Sequence, residues 1–128
     1  MASRDKKDLV FKLATAFDFS LKKWKEIYSN EPVPFLVCTY RSPEEQDELY
    51  KIGRTIKGKK ITNAKGGQSK HNTNPSTAFD IAFLTFDKKL DWNPKLFKKF
   101  YEIIKEIDSD VNWGGNFSSF KDLPHFEL

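Results

Sequence analysis

The sequence predicts an α+β fold, a small antiparallel sheet with flanking helices, forming a single domain over residues 1–128. Three observations point there. Two long segments repeat apolar residues at three- and four-residue steps, short β-rich runs lie between them, and no regular strand–helix alternation of the kind that builds a parallel sheet is present. The chain is 38% hydrophobic and 15% aromatic. That suffices for a core without disulfides and argues against disorder.

Taken in order, residues 5–28 read as a helix whose apolar stripe is Leu9, Leu13, Ala16, Phe17, Leu21, Trp24 and Tyr28. Ser29-Asn30-Glu31-Pro32 breaks it, and residues 33–41 read as a buried strand. A second helix starts at Ser42-Pro43-Glu44-Glu45, where Ser42 can cap, Pro43 fits the first turn and Glu45 completes a capping box; it stops at Gly53. Residues 54–77 have no period and contain Gly58, Gly66, Gly67 and Pro75, which makes them a long functional or disordered loop. Residues 78–83 alternate: Phe79, Ile81 and Phe83 form a core face, while Ala78, Asp80 and Ala82 put one acid between two small residues on the other. Asn93-Pro94 opens a third helix with the stripe Leu96, Phe97, Phe100, Tyr101, Ile103, Ile104 and Ile107. Residues 113–116 form a turn, and residues 125–128 a short strand with His125 and Glu127 on one face.

The balance of 22 basic and 18 acidic residues leaves a net charge of +4. Such a surplus favours encounter with a polyanion, including a bacterial wall. The lysines are scattered in pairs such as Lys22-Lys23 and Lys98-Lys99 rather than gathered in a stripe, so no nucleic-acid partner is expected. No run is long and apolar enough for membrane insertion. Residues 1–7 lead into an amphipathic stretch, so no secretory leader is read there. The single cysteine, Cys38, permits no internal disulfide and fits a buried small hydrophobe.

The chemistry centres on the two histidines, His71 and His125. His71 stands nine residues before Asp80, and Asp122 stands three before His125. Two imidazoles and one carboxylate make a three-ligand set that leaves a fourth position for water, as a catalytic zinc site requires. The spacing matches no compact zinc signature, and on the residues alone a surface histidine and a metal ligand both stay open.

The segments Thr39-Tyr40-Arg41-Ser42, Gln46-Asp47-Glu48-Leu49-Tyr50, Gly53-Arg54-Thr55, the run from Thr62 to Asn72, Ala78-Phe79-Asp80, Trp113-Gly114-Gly115 and Asp122-Leu123-Pro124-His125-Phe126-Glu127 occur together and in order. They resemble the VanY/M15 metallopeptidases, most of all the L-alanyl-D-glutamate peptidase branch of phage endolysins and autolysins. The resemblance implies a D-Ala-D-Ala peptidase/Hedgehog-type fold. It implies Zn2+ held by His71, Asp80 and His125, with Asp122 as general base and Arg41 binding the carbonyl oxygen. Ser69 would support His71, and Gln46 would pack near Arg41. Trp113 reads either as a core residue or as a substrate platform supporting the site. Glu127 would orient His125 as an outer acceptor.

The implied activity is hydrolysis of the L-alanyl-D-glutamate bond in peptidoglycan stem peptides by a monomeric phage endolysin. Such an enzyme would be made in the host cytoplasm and reach the wall after holin-type release. A D,D-carboxypeptidase or dipeptidase of the same family is the alternative enzyme; a non-catalytic wall-binding module is the alternative of another class. One feature departs from the family pattern H-x-x-G-x-A-x-D. The His71-to-Asp80 interval is nine residues instead of seven, with Pro75-Ser76 where a glycine is expected. A looped insertion there can be absorbed, because Asp80 sits on a strand; it leaves Asp80 as the ligand and leaves the shape of the nearby rim open.

Overall fold

The computed structural model describes residues 2–128. Helices α1 (Phe11–Ile27), α2 (Pro43–Lys51) and α3 (Pro94–Ile107) accompany strands β1 (Val33–Cys38), β2 (Ala78–Leu84), β3 (Leu90–Asp91), β4 (Asn112–Trp113) and β5 (His125–Glu127). The strands form one sheet in the order β1-β2-β5-β4, with β3 paired to the far end of β2. Every pairing is antiparallel. This is the α+β arrangement the sequence predicts.

Local chemistry sets the boundaries. Ser42 Oγ accepts from the Glu45 amide and Glu45 accepts in return from the Ser42 amide, so α2 begins in a reciprocal cap with Pro43 in its first turn. The chain leaves α2 through Gly53 at φ +83, where an added Cβ would lie 2.6 Å from the Lys60 backbone nitrogen; only glycine fits both demands. Asn93 caps α3 by accepting from the Lys95 amide.

Four boundaries differ from the sequence reading. Trp113, expected in a turn over residues 113–116, instead ends the two-residue strand β4, and Gly114–Asn116 alone form a 3-10 turn. Helix α1 begins at Phe11 rather than near Asp5, because Asp5 caps a separate 3-10 turn over Lys6–Asp8 and Leu9 pairs with Ser76 across the molecule. Strand β1 ends at Cys38 instead of Arg41: Thr39 and Tyr40 exchange backbone hydrogen bonds with Ser3, and the Arg41 amide donates to the His71 carbonyl. The two-residue strand β3 was not anticipated. It closes a tight hairpin in which Lys88 takes φ +67.

Helices α1 and α3 pack on each other and cover one face of the sheet. Phe79, Phe83 and Phe126 project from that face and are fully buried. Phe17 meets Phe79 edge-on at 5.4 Å, Trp24 lies 5.2 Å from Phe83, and Phe100 meets Phe126 at 5.4 Å. The Trp24 indole N–H donates to the Pro32 carbonyl, so its polar atom is satisfied inside the core. Truncating one of these rings to alanine removes about 3–5 kcal/mol. The opposite face of the sheet carries Asp80 and His125.

Candidate metal centre

Sheet register builds the centre. Asp80 on β2 pairs directly with His125 on β5, and Cys38 on β1 is the other partner of Asp80. Side chains of directly opposed residues lie on the same face. A register shift between Leu36 and Cys38 turns Cys38 onto the Asp80 face, whereas unbroken alternation would have kept it with Leu36. His71 comes from the loop between α2 and β2, in a 3-10 turn over Lys70–Asn72. Ser69 caps that turn by accepting from the His71 amide, and the Asn72 side chain accepts from the Ser69 amide. Asn72 also donates to the Arg41 carbonyl, tying the turn to the end of β1.

Three polar atoms converge. His71 Nε2 is 3.1 Å from Asp80 Oδ1, His125 Nδ1 is 3.0 Å from the same oxygen, and the two nitrogens are 3.2 Å apart. The far nitrogen of each ring is committed. His71 Nδ1 is 2.8 Å from the Thr39 carbonyl, which can only accept, so Nδ1 holds the proton. His125 Nε2 likewise donates to Glu127 Oε1 at 2.7 Å, and Lys70 holds Glu127 from the other side at 3.2 Å. Once the facing nitrogens give up their protons, both imidazoles aim lone pairs at one point beside a carboxylate. In a tetrahedral site with bonds of about 2.0–2.1 Å the ligand atoms stand roughly 3.3 Å apart, so these donors fit a small divalent metal with little movement.

Charge placement agrees. Burial opposes ionisation of Asp80, but hydrogen bonds from His125 and His71 outweigh it and hold the carboxyl well below its usual range. Burial likewise opposes charge on His71 and His125, yet the hydrogen bonds with Asp80, joined by Cys38 at His71 and by Glu127 at His125, raise them to about 10 and about 9. Protons facing each other across 3.2 Å repel, so each imidazolium disfavours the other.

The remaining sequence candidates divide. Asp122 stands at the centre, with ligand atoms of Asp80, Asp122 and His125 within 4.8 Å of one another. Burial and then the Asp80 charge raise its pKa. Its backbone is seated against Gly114, whose carbonyl accepts from the Asp122 amide; a Cβ at Gly114 would come 2.1 Å from the Asp122 carbonyl oxygen. Arg41 is largely buried, donates to Gln46 Oε1 at 3.0 Å and lies 3.8 Å from Asp80 Oδ2. Gln46 is buried, and its amide nitrogen donates to the Ala64 carbonyl. Glu127 takes the acceptor position on His125. Trp113 does not reach the cleft: it is buried against Tyr101 at 5.1 Å and donates to the Leu123 carbonyl at 2.7 Å. Its contact is with the segment that leads to His125, because β4 turns its ring to the helix face.

Residues missed from the sequence are Cys38, Gly114 and Lys70. Cys38 is buried, as its apolar neighbours suggest, but its sulfur is 3.6 Å from His71 Nδ1 and 3.4 Å from Arg41 Nη2. No local signal revealed this, since the bulge in β1 inverts its face.

The centre lies in a cleft of about 750 Å³ between the loop 61–71 and the segment 117–124. The longer His71-to-Asp80 interval does not form its rim: none of residues 72–79 lines the cleft. Instead Ser76 exchanges backbone hydrogen bonds with Asp8 and Val10, so the extra residues dock on the N-terminal segment.

Residues 62–128 match a family model described as D-alanyl-D-alanine carboxypeptidase, of the peptidase M15 family. A curated relative, the peptidoglycan L-alanyl-D-glutamate endopeptidase CwlK of Bacillus subtilis (strain 168), is 38% identical over 96 residues. That match covers 70% of this chain and 56% of the relative, so the chain spans little more than half its length. Among solved structures, the L-Ala D-Glu endopeptidase ChiX of Serratia marcescens superposes with a TM-score of 0.73 at 17% identity. The superposition covers 100% of this chain and 88% of that one, which establishes the shared fold.

Proposed function

Because the chain belongs to the peptidase M15 family, we propose that it is a zinc endopeptidase hydrolysing the L-alanyl-D-glutamate bond of peptidoglycan stem peptides, with residues 1–128 as one catalytic domain. The observation that carries this is the convergence of His71 Nε2, Asp80 Oδ1 and His125 Nδ1 beside Asp122 on the floor of the cleft.

His71, Asp80 and His125 would hold the ion. Zinc held there would supply Lewis acidity for activating water and polarising the scissile carbonyl. Asp122, whose carboxylate lies beside Asp80 and His125, would take the proton of the attacking water and return it to the leaving amine. Arg41, held by Gln46, presents N–H donors to the carbonyl oxygen as negative charge builds on it. Ser69 fixes the His71 turn, and Glu127 fixes the His125 ring and increases its basicity.

Digestion of purified peptidoglycan should create new N-terminal D-glutamate, read by mass spectrometry. Release of free D-alanine would instead support the carboxypeptidase reading, which the description of the matching family model favours. Lack of zinc in the purified protein, together with lack of turnover, would leave the wall-binding module.

The biological role we propose is that of a phage endolysin acting as a monomer. The support is the resemblance in sequence to that branch; among the described residues no helix is long and apolar enough to cross a membrane. Expression in the bacterial cytoplasm should lyse cells only when a pore-forming protein is co-expressed. Lysis without the pore would contradict holin-type release, and sizing chromatography checks the monomer.

A further inference from the structure

Three aromatic rings of the cleft are not used by the proposed mechanism. Besides the polar residues of the metal centre, the cleft is lined by Trp92, Phe117 and Phe120. Trp92 is 53% and Phe120 40% exposed, so both rings offer surface to a ligand in the cleft. Trp92 is backed by Phe97, with near-parallel rings 6.1 Å apart, so its outer face is held rigid. Phe120 has φ +44, a backbone conformation that bulky residues rarely adopt and that persists where the surroundings impose it. Phe117 joins this patch to the centre: its ring is 6.0 Å from that of His125.

On the strength of the proposed bond specificity, we infer that Trp92 and Phe120 form a subsite for the amino sugar of the glycan strand, so that the enzyme reads the muramyl residue together with the peptide. L-Alanine is the residue through which the stem peptide joins the muramyl lactyl group. The lactyl group lies between L-alanine and the sugar ring, so the sugar begins about two residue lengths from the scissile bond, roughly 7 Å of backbone away. Phe120 is two residues from Asp122, within about 7–8 Å of chain. With the lactyl group counted the two scales agree: with Asp122 at the scissile amide, the sugar comes within reach of Phe120, and Trp92 lines the same cleft. Pyranose rings present an uncharged C–H face that packs on an aromatic plane. The peptide beyond D-glutamate, in contrast, carries carboxylates and an amine, which suit the polar walls near Arg41 and Lys70.

The test compares two substrates that share the same stem peptide, one carrying its disaccharide and one without it. Wild type should cleave the glycan-linked form with the higher kcat/KM, and W92A should lower the ratio of the two values about tenfold, mainly through KM. A ratio unchanged in W92A, or equal loss on both substrates, overturns the subsite. Binding of the peptide-free disaccharide, followed by NMR, gives a readout independent of turnover. Saturable binding to wild type that is lost in W92A and weakened in F120A supports the inference; no binding, or equal binding to all three proteins, refutes it. If wild type cleaves neither substrate at the L-Ala–D-Glu bond, the proposed function fails, and the disaccharide titration still decides the subsite.

Discussion

Replacing Gly114 by alanine should disable turnover without removing the metal ligands. The added Cβ would sit 2.1 Å from the Asp122 carbonyl oxygen and 3.0 Å from its carbonyl carbon. Ordinary contact demands a little over 3 Å, so the Asp122 backbone must retreat by about 1 Å, a displacement that costs on the order of 100-fold when it misplaces a catalytic group. The obstructing atom is backbone, so no rotamer change relieves it. His71 and Asp80 lie on other elements, and His125 is held by its pairing with Asp80 and by Glu127. We therefore expect G114A to retain near-stoichiometric zinc by elemental analysis, to lose about 1–3 kcal/mol of stability by denaturant unfolding, and to show kcat reduced about 100-fold on a stem peptide. Wild-type kcat in G114A would show that Asp122 is not positioned by this contact. Loss of zinc in parallel with activity would show that the segment 114–122 builds the metal site instead.

Further predictions test other parts of the centre. D122N should bind zinc normally in a competition assay yet lose nearly all turnover; retained activity would remove Asp122 as the base. E127A should weaken zinc binding about 10- to 100-fold, because His125 loses the acceptor that fixes its ring; unchanged affinity would deny it that role. The histidines are raised from 6.5 to about 10 and about 9, so the fold holds their protons more tightly than the unfolded chain does. Their contribution to stability is complete below about pH 6.5 and is lost as pH climbs through 9 and 10. The Tm measured in chelator should therefore fall over that range, and added zinc should blunt the fall by taking the place of the protons; a chelator Tm that rises with pH would contradict the electrostatics described. F126A should cost about 3–5 kcal/mol by denaturant unfolding, and a loss below 1 kcal/mol would show that the stacked core is not continuous through β5.

What the sequence disclosed follows from how locally each feature is encoded. Helices α2 and α3 were legible because their starts are written in adjacent residues, Ser42 to Glu45 and Asn93-Pro94. The alternation of residues 78–83 exposed Asp80 as the odd member of a face otherwise made of alanine. The late start of α1 was hidden, since Leu9 fits the helical stripe equally well and its partner Ser76 lies far along the chain. Cys38 was hidden by a bulge that reverses its face, and Gly114 by a contact with Asp122 that no spacing announces. Trp113 shows the converse: its composition suits either a platform or a core, and the ring direction set by β4 decided between them. The four polar residues of the centre could be named from motif order, but their convergence depends on long-range register.

That register has a consequence for assembly of the molecule. Asp80 and His125 face the same way only while β5 keeps its present alignment with β2; sliding β5 by one residue would turn His125 toward the aromatic layer and Phe126 toward the cleft. A three-residue terminal strand has few backbone hydrogen bonds with which to defend one alignment over another. A metal ion captured by all three donors can bind only the correct alignment, so it would act as a proofreader of strand order, withdrawing slipped chains from the folding equilibrium as it is taken up.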